Sequence, residues 1–169
     1  STHNPGDFFS VGATTVSYTV TDASGNTRSL SFDIQIVDLE IPVVVDGPQD
    51  ILVEAEQGLC GSTISWIEPT AIDNCEVFDL KPSNYPGEFF AVGTTLVSYT
   101  AIDTTGNIAV HEFNVTVEDT QAPIIDGLTG DISVNTDFNQ CDAIVTWTEP
   151  TISDNCTVVS ANVDISSGT

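Results

Sequence analysis

The sequence has almost no positive charge, no methionine and no long apolar run. Its 169 residues carry 25 acidic side chains against two basic ones, Arg28 and Lys81, which gives a formal net charge of −23. Such a chain repels polyanions, which excludes nucleic acid as a partner and also binding to anionic lipid through basic patches. Because no apolar stretch reaches about 18 residues, we predict no direct membrane insertion.

Helical periodicity is also missing. β-Branched and aromatic residues are frequent, and polar and apolar residues alternate along segments such as 113–118, where Phe113, Val115 and Val117 would face inward. One apolar face on each strand is what a two-sheet sandwich requires. The predicted fold class is therefore all-β.

The chain matches itself at an offset of 81 residues. PGDFFSVGATTVSYTVTDASGN at 5–26 aligns without a gap with PGEFFAVGTTLVSYTAIDTTGN at 86–107, and Trp66 aligns with Trp147. A fixed period of this size indicates tandem modules.

Two short segments, DASGN and DTTGN, predict tight hairpin turns in equivalent places. Gly25 and Gly106 would take the left-handed position, and Asp22 and Asp103 would accept hydrogen bonds from the turn backbone. Turn chemistry explains this spacing without a ligand, although Asp103 is also a candidate for binding a cation.

The four cysteines form two pairs with equal spacing. Because the spacing recurs with the module, we expect one disulfide inside each module, Cys60 with Cys75 and Cys141 with Cys156. Four cysteines allow three pairings, so the sequence leaves the other two open. A zinc site is less expected, since there is no CxxC and neither histidine lies near a cysteine. Disulfides place the protein outside the cytoplasm.

Together these residues resemble the hyalin repeat family, the HYR module of extracellular proteins. The resemblance covers the whole chain and is carried by Pro42 with DI at 50–51, WIEPTAIDNC at 66–75, PGEFFAVGTTLVSYTAIDTTGN at 86–107 and FNVTVED at 113–119. It implies tandem immunoglobulin-like β-sandwich modules with the 81-residue period. Residues 1–40 would be the C-terminal half of one module, 41–120 a complete module and 121–169 the N-terminal half of the next. A half module would expose unpaired edges and core.

The resemblance also implies a further cysteine pair that this sequence lacks. Its positions are held by Gly47 and His111, and in the neighbouring copies by Leu128 and Leu30. Members with the DNC form of the motif are similar to large surface proteins of Bacteroidetes-type bacteria, including adhesins of gliding cells.

Nothing in the sequence is typical of an active site. His3 and His111 lack a paired nucleophile motif, and pairs of acidic residues carry no information in a chain this acidic. We therefore predict that the chain is not an enzyme and requires no cofactor.

Excess carboxylate does suit a hard cation such as Ca²⁺, which takes oxygen ligands. In an immunoglobulin-like sandwich the DN loop and the last hairpin loop lie where the preceding linker enters. We therefore expect calcium ligands at each module boundary: Asp38, Glu40, Asp73, Asn74 and Asp103 at the first, and Asp119 and Asp154 at the next. The alternative is that these residues cap turns and the acidity serves solubility.

The predicted function is a non-catalytic segment of a long extracellular adhesin or stalk at the cell surface, whose modules supply reach and toughness. Expected partners are neighbouring modules of the same chain and a surface polysaccharide or protein ligand. The alternative is an accessory spacer or carbohydrate-binding module of a secreted polysaccharide-degrading enzyme. The two tryptophans and three tyrosines mostly fall on inward positions, which disfavours a carbohydrate platform.

Overall fold

The computed structural model describes residues 2–162, and all the regular secondary structure in that range is β-strand. The strands are β1 (Gly12–Thr21), β2 (Thr27–Ile36), β3 (Val43–Val45), β4 (Ile51–Glu54), β5 (Gly61–Ile64), β6 (Thr70–Ile72), β7 (Val77–Pro82), β8 (Glu88–Ala91), β9 (Gly93–Asp103), β10 (Ile108–Glu118), β11 (Ile124–Asp126) and β12 (Thr151–Ser153). The all-β prediction is confirmed, and the arrangement in several sheets is consistent with a β-sandwich. Over this range the chain contains no helix long and apolar enough to cross a membrane.

Within residues 2–162, four sheets are two-stranded and one is four-stranded. The two-stranded sheets are β1–β2, β3–β6, β5–β8 and β11–β12, and the larger sheet has the order β4–β10–β9–β7. In the larger sheet β4 runs parallel to β10, whereas β7 runs antiparallel to β9 with a bulge between Val77 and Asp79.

The chain divides into two compact units. The first comprises Ser1–Gly47, Glu68–Ser83 and Ser98–Glu112, and the second comprises Pro48–Ile67, Asn84–Val97 and Phe113–Thr169. The long strands β9 and β10 each contribute residues to both units. The division into modules at 1–40, 41–120 and 121–169 stays a prediction, and its last seven positions lie outside the described residues.

In the first unit both predicted hairpin turns are confirmed. Gly25 and Gly106 have φ angles of 87° and 95°, the left-handed conformation that glycine adopts most readily. Asp22 Oδ1 accepts hydrogen bonds from the main-chain N–H groups of Ser24 and Asn26. The turn at Asp103 repeats this pattern and is described with the site below.

In the second unit, aromatic packing organises the core. The Trp66 ring lies edge-on to Phe90 and to Phe113, with centroid distances of 6.0 and 5.3 Å. Phe113, Val115 and Val117 are all buried, as their alternation with polar residues predicts.

Several aromatic residues in the ranges 2–40 and 121–162 are exposed, although their equivalents at the 81-residue offset pack inward. Tyr18 and Phe32 are 44% and 54% exposed, whereas Tyr99 and Phe113, their equivalents at the 81-residue offset, are 1% and 2% exposed. Trp147 is likewise exposed, although its equivalent Trp66 packs in a core. The expectation that the two tryptophans and three tyrosines mostly face inward holds for Trp66 and Tyr99, and it is wrong for Tyr18, Tyr85 and Trp147, of which Tyr85 is 55% exposed.

The expected disulfide pairing is wrong. Cys60 is bonded to Cys156, 96 residues later, while Cys75 and Cys141 are free and exposed. The physical reason is that Cys60 lies in the turn between β4 and β5, and this turn contacts the second DNC motif rather than the first. Equal spacing along the chain identifies the positions at which cysteines recur. It does not identify which copy supplies the disulfide partner of each cysteine.

Candidate functional site

The spacing of acidic and amide residues that recurs at the 81-residue offset produces two equivalent polar clusters, each inside one compact unit. The first cluster consists of Asp38, Asp73, Asn74, Cys75, Asp103 and Asn107. The second cluster consists of Cys60, Asp119, Gln121, Asp154, Asn155 and Cys156. Adding 81 to Asp38, Asp73, Asn74 and Cys75 gives Asp119, Asp154, Asn155 and Cys156.

The first cluster is built around the Asp38 carboxylate, which is 7% exposed. Asp38 Oδ1 accepts a hydrogen bond from Asn74 Nδ2 (3.3 Å) and another from the Glu40 main-chain N–H (3.1 Å). The Cys75 N–H donates to Asp73 Oδ2 (3.0 Å), which folds the DNC segment into a tight turn. One side-chain ligand atom from each of Asp38, Asp73 and Cys75 lies within 4.8 Å of the others.

The hairpin turn of Asp103 closes this cluster. Asp103 Oδ1 accepts hydrogen bonds from the N–H groups of Thr105 and Asn107, both at 2.8 Å, and Oδ2 accepts one from Asn107 Nδ2 at 2.7 Å. Burial opposes ionisation of Asp103, but these bonds outweigh it and lower its pKa to about 2. Asn107 Nδ2 also donates to the main-chain oxygen of Asp38 (3.3 Å), which links the turn to the preceding segment.

The Cys75 thiol and the Asp38 carboxylate affect each other's ionisation. The side-chain interaction with Cys75 is the largest cause that lowers the pKa of Asp38, and the same interaction, followed by burial, raises the pKa of Cys75 to about 11. A thiol is a weak donor, and Asp38 Oδ2 has no partner with normal hydrogen-bond geometry. Because metals bind the thiolate and not the thiol, the raised pKa disfavours Cys75 as a metal ligand at neutral pH.

The second cluster repeats this geometry and adds further contacts. Asn155 Nδ2 donates to Asp119 Oδ1 (3.1 Å) and to the Leu59 main-chain oxygen (2.9 Å). The Gln121 N–H donates to Asp119 Oδ1 (3.0 Å), as the Glu40 N–H does to Asp38. The Cys60–Cys156 disulfide completes the cluster.

The structure brings most of the sequence-predicted cation ligands together. Asp38, Asp73, Asn74 and Asp103 lie in the first cluster, and Asp119 and Asp154 lie in the second. Glu40 contributes only its main-chain N–H and its side chain is exposed. In the described part of the chain, three buried side-chain oxygen atoms lack hydrogen bonds of normal geometry: Asp38 Oδ2, Asp154 Oδ1 and Asn155 Oδ1. Binding of calcium stays a prediction.

Two contributors were missed by sequence reasoning. Asn155 could have been found, because the 81-residue offset maps Asn74 onto it. Gln121 gave no such signal, since its equivalent is Glu40, whose acid cannot donate hydrogen bonds as an amide does.

The family model described as HYR domain matches residues 1–36 and 37–117. The chain belongs to the HYR domain family. The Gly47 and His111 positions also face each other, because a Cβ atom on Gly47 would lie 2.5 Å from the His111 ring. This proximity fits the family resemblance, in which those positions carry a further cysteine pair.

Three relatives illustrate the similarity of this HYR chain to longer proteins. It is 39% identical over 160 residues to hyalin of Strongylocentrotus purpuratus, covering 91% of this chain and 13% of that protein. It is 38% identical over 161 residues to hyalin of Lytechinus variegatus, covering 92% and 30%. It is 34% identical over 119 residues to the sushi, von Willebrand factor type A, EGF and pentraxin domain-containing protein 1 of Rattus norvegicus, covering 68% and 3%.

The chain thus spans no more than 30% of the length of these relatives. Membership of the HYR family, together with the Cys60–Cys156 disulfide, fits an extracellular protein. A source among gliding bacteria stays a prediction.

Proposed function

We propose that the chain is a non-catalytic segment of a long extracellular adhesin or stalk at the cell surface, built from tandem HYR modules that supply reach and toughness. The observation that carries this proposal is how the segment after β10 is held. Gln121 Nε2 donates to the Glu56 main-chain oxygen (3.0 Å), and Gln121 Oε1 accepts from the Gly58 N–H (2.8 Å). A linker that served only as a flexible tether would need no such contacts.

The same segment is fixed from its other side. Asn155 bonds to Asp119 and to Leu59, and the Cys156 sulfur is bonded to Cys60. The turn between β4 and β5 is therefore tied to the linker and to the motif that follows it. Such a boundary resists bending, and a series of these boundaries would make an extended and stiff array.

Exposed aromatic residues also support an array. In the central copy, Tyr99 and Phe113 are buried, while the equivalent Tyr18 and Phe32 expose about half of their surface. An apolar sheet face of this kind is costly in water, at roughly 25 cal/mol for each Å² left uncovered. A neighbouring half module would cover it in the way that the central copy covers its own.

The array is tested by adding modules. One or two further copies of residues 38–118 are inserted between Glu118 and Asp119, and the maximum dimension is measured by small-angle X-ray scattering. A stiff array gains the same length with each copy, whereas a chain with flexible boundaries grows roughly as the square root of the number of segments. The matched control is the same series with these boundary positions changed to alanine in every copy, namely Gln121→Ala and Asn155→Ala at the last boundary and Glu40→Ala and Asn74→Ala in each added copy. Square-root growth in the unsubstituted series would contradict the proposal.

The alternative, an accessory module of a polysaccharide-degrading enzyme, receives less support. Trp147 is exposed and shares a shallow surface depression with Ile125 and Ile152. Its equivalent Trp66 is a core residue, so exposed core explains Trp147 without a carbohydrate ligand. Binding to soluble polysaccharides, measured by affinity electrophoresis and lost in Trp147→Ala, would favour the alternative.

We also propose that the first cluster holds Ca²⁺ and stiffens its boundary further. The buried Asp38 Oδ2 supports this, because it makes no hydrogen bond of normal geometry, the neighbouring Cys75 thiol is only a weak donor, and a carboxylate oxygen suits a hard cation. Asp73 is the second carboxylate within reach. Asp103 is the weakest candidate, since both of its oxygens already accept hydrogen bonds.

Calcium is tested by thermal unfolding in Ca²⁺ and in EDTA. A specific site predicts a Tm that rises and saturates with free Ca²⁺, as linkage requires. The rise should shrink in Asp73→Asn and stay unchanged in Asp79→Asn, an exposed acid on β7. Equal shifts in both variants would indicate general screening of negative charge instead.

A further inference from the structure

The bonded Cys60 sits in a turn whose backbone is duplicated at Cys141. In the turn at 56–61 the Glu56 N–H donates to the Gly61 main-chain oxygen at 2.9 Å. In the turn at 137–142 the Asp137 N–H donates to the Asp142 main-chain oxygen at 2.8 Å. In both turns the fourth N–H also donates to the first carbonyl oxygen, at 2.9 and 3.0 Å. The third residue is left-handed in each, Gly58 with φ 78° and Asn139 with φ 61°. The fifth residue is the cysteine.

The bonded Cys156 also has a duplicate, at Cys75. Each cysteine follows an Asp-Asn pair, and its N–H donates to the aspartate two residues earlier, at 3.0 Å for Cys75 and 3.3 Å for Cys156. Each asparagine donates to the linker aspartate, Asp38 or Asp119. The two exposed thiols therefore lie in the same local backbone as the two bonded sulfurs.

We propose that disulfides join consecutive HYR modules in series, each linking the turn cysteine of one module to the DNC cysteine of the next. Cys60–Cys156 is one such bond. Cys75 would then form a disulfide with the turn cysteine of a preceding module. Cys141 would form one with the DNC cysteine of a following module. This inference rests on the proposed tandem array and identifies the partner of each thiol as another HYR module.

The chemistry is ordinary thiol oxidation. Two thiols lose their S–H protons and two electrons, and one S–S bond forms between them. The oxidant is a small-molecule disulfide such as glutathione disulfide, whose S–S bond is reduced to two thiols. The extracellular setting expected for an HYR protein permits this reaction.

The alternative use of these thiols is a bond inside each copy, and the structure opposes it. Pairing of Cys60 with Cys75 would require Cys60 to leave Cys156. The contact of Asn155 with the Leu59 main-chain oxygen also holds the turn beside the later motif. The serial bond is therefore accompanied by a polar contact between the same two segments.

The first test counts thiols in the 169-residue chain and in a chain lengthened by one copy of residues 38–118 between Glu118 and Asp119. Both are refolded with glutathione in mildly alkaline buffer and titrated with a thiol reagent in denaturant. Serial bonding leaves two free thiols in each chain, because every added copy brings two cysteines and one bond. Bonding inside copies leaves no free thiol in either chain, and that result would overturn the proposal.

Peptide mapping then identifies the partners. The inserted copy carries Thr63→Ser and Glu76→Asp as mass labels, and a protease that cuts after acidic residues is used because the chain has only two basic residues. The expected bonds join unlabelled Cys60 to the labelled Cys75 peptide, and labelled Cys60 to Cys156. A bond between two unlabelled or two labelled peptides overturns the proposal, while the array test above still stands by its own measurement of length.

Two single substitutions in the lengthened chain provide a matched control. Cys75→Ala in the inserted copy should raise the thiol count from two to three, since it releases the preceding Cys60. Cys75→Ala in the original copy should lower the count from two to one, since it removes a thiol that has no partner there. Equal changes in both variants would overturn the serial order.

Discussion

The side chain of Asn155 donates a 2.9 Å hydrogen bond to the main-chain oxygen of Leu59, a residue 96 positions earlier. The same amide nitrogen reaches Asp119 Oδ1 at 3.1 Å. One side chain therefore ties together the turn between β4 and β5, the segment after β10 and the second DNC motif. Within residues 2–162, Asn74 makes only the equivalent of the second contact, to Asp38, which makes it a natural comparison.

Asn155→Ala should lower the free energy of unfolding by about 1–3 kcal/mol, because it removes two hydrogen bonds, one to Leu59 and one to Asp119. Asn74→Ala should cost less, since its amide contacts a single acceptor in the described residues. Urea unfolding with the disulfide intact measures both. Equal losses would contradict the specific role assigned to Leu59.

Burial predicts a sharp contrast between two equivalent tyrosines. Tyr99→Ala should cost roughly 3–5 kcal/mol, as expected for a fully buried large aromatic side chain, whereas Tyr18→Ala should change stability by no more than about 0.5 kcal/mol. Chemical denaturation of both variants is the measurement. In the chain lengthened by one copy, Tyr99→Ala should cause a similar loss of stability whichever of the two copies carries it.

Much of this fold is predictable from sequence because its signals are local. Alternation identified the buried face of β10, and the glycine and aspartate positions identified both hairpin turns. The family resemblance supplied the sandwich. These features depend on neighbours within a few residues, so a single sequence contains them.

The disulfide could not be predicted in the same way, since it depends on contacts between distant segments. Cys60 is as far from Cys75 in sequence as Cys141 is from Cys156, and a fixed period gives no preference between a partner in the same copy and one in the next. The exposure of Tyr18 and Trp147 has a similar origin. Their side chains have the right pattern for burial, but burial also requires a second surface.

Gly47 faces His111 closely enough to predict a steric effect. A Cβ atom there would lie 2.5 Å from the imidazole ring, so Gly47→Ala should cost about 1–3 kcal/mol as the ring is displaced. His111→Ala removes the obstacle. In that background the cost of Gly47→Ala should fall, and a double-mutant cycle in urea measures the coupling. Additive losses would indicate that another contact of Gly47 matters more.

Asp103 predicts a stability change in acid. Its folded pKa is lowered to about 2 from an ordinary 3.8 by hydrogen bonds that outweigh burial. A depressed carboxyl pKa contributes stability that is present above the unfolded value and is lost as pH falls through the folded value. The parent chain should therefore lose its advantage over Asp103→Asn between about pH 4 and pH 2. A difference in unfolding midpoint that stays constant over this range would contradict the assignment.

Breaking the Cys60–Cys156 bond should destabilise the chain strongly, because it closes a separation of 96 residues. In the chain-entropy model a loop of this size contributes more than 4 kcal/mol, and measured effects are typically about 2–4 kcal/mol. The double variant Cys60→Ala and Cys156→Ala is compared with Cys75→Ala and Cys141→Ala, which removes two exposed thiols. The first should lower the unfolding midpoint in urea and the second should leave it nearly unchanged. Because the amide contacts of Asn155 and Gln121 survive the first variant, the boundary should loosen without separating, and scattering should show a broader range of lengths at unchanged mass.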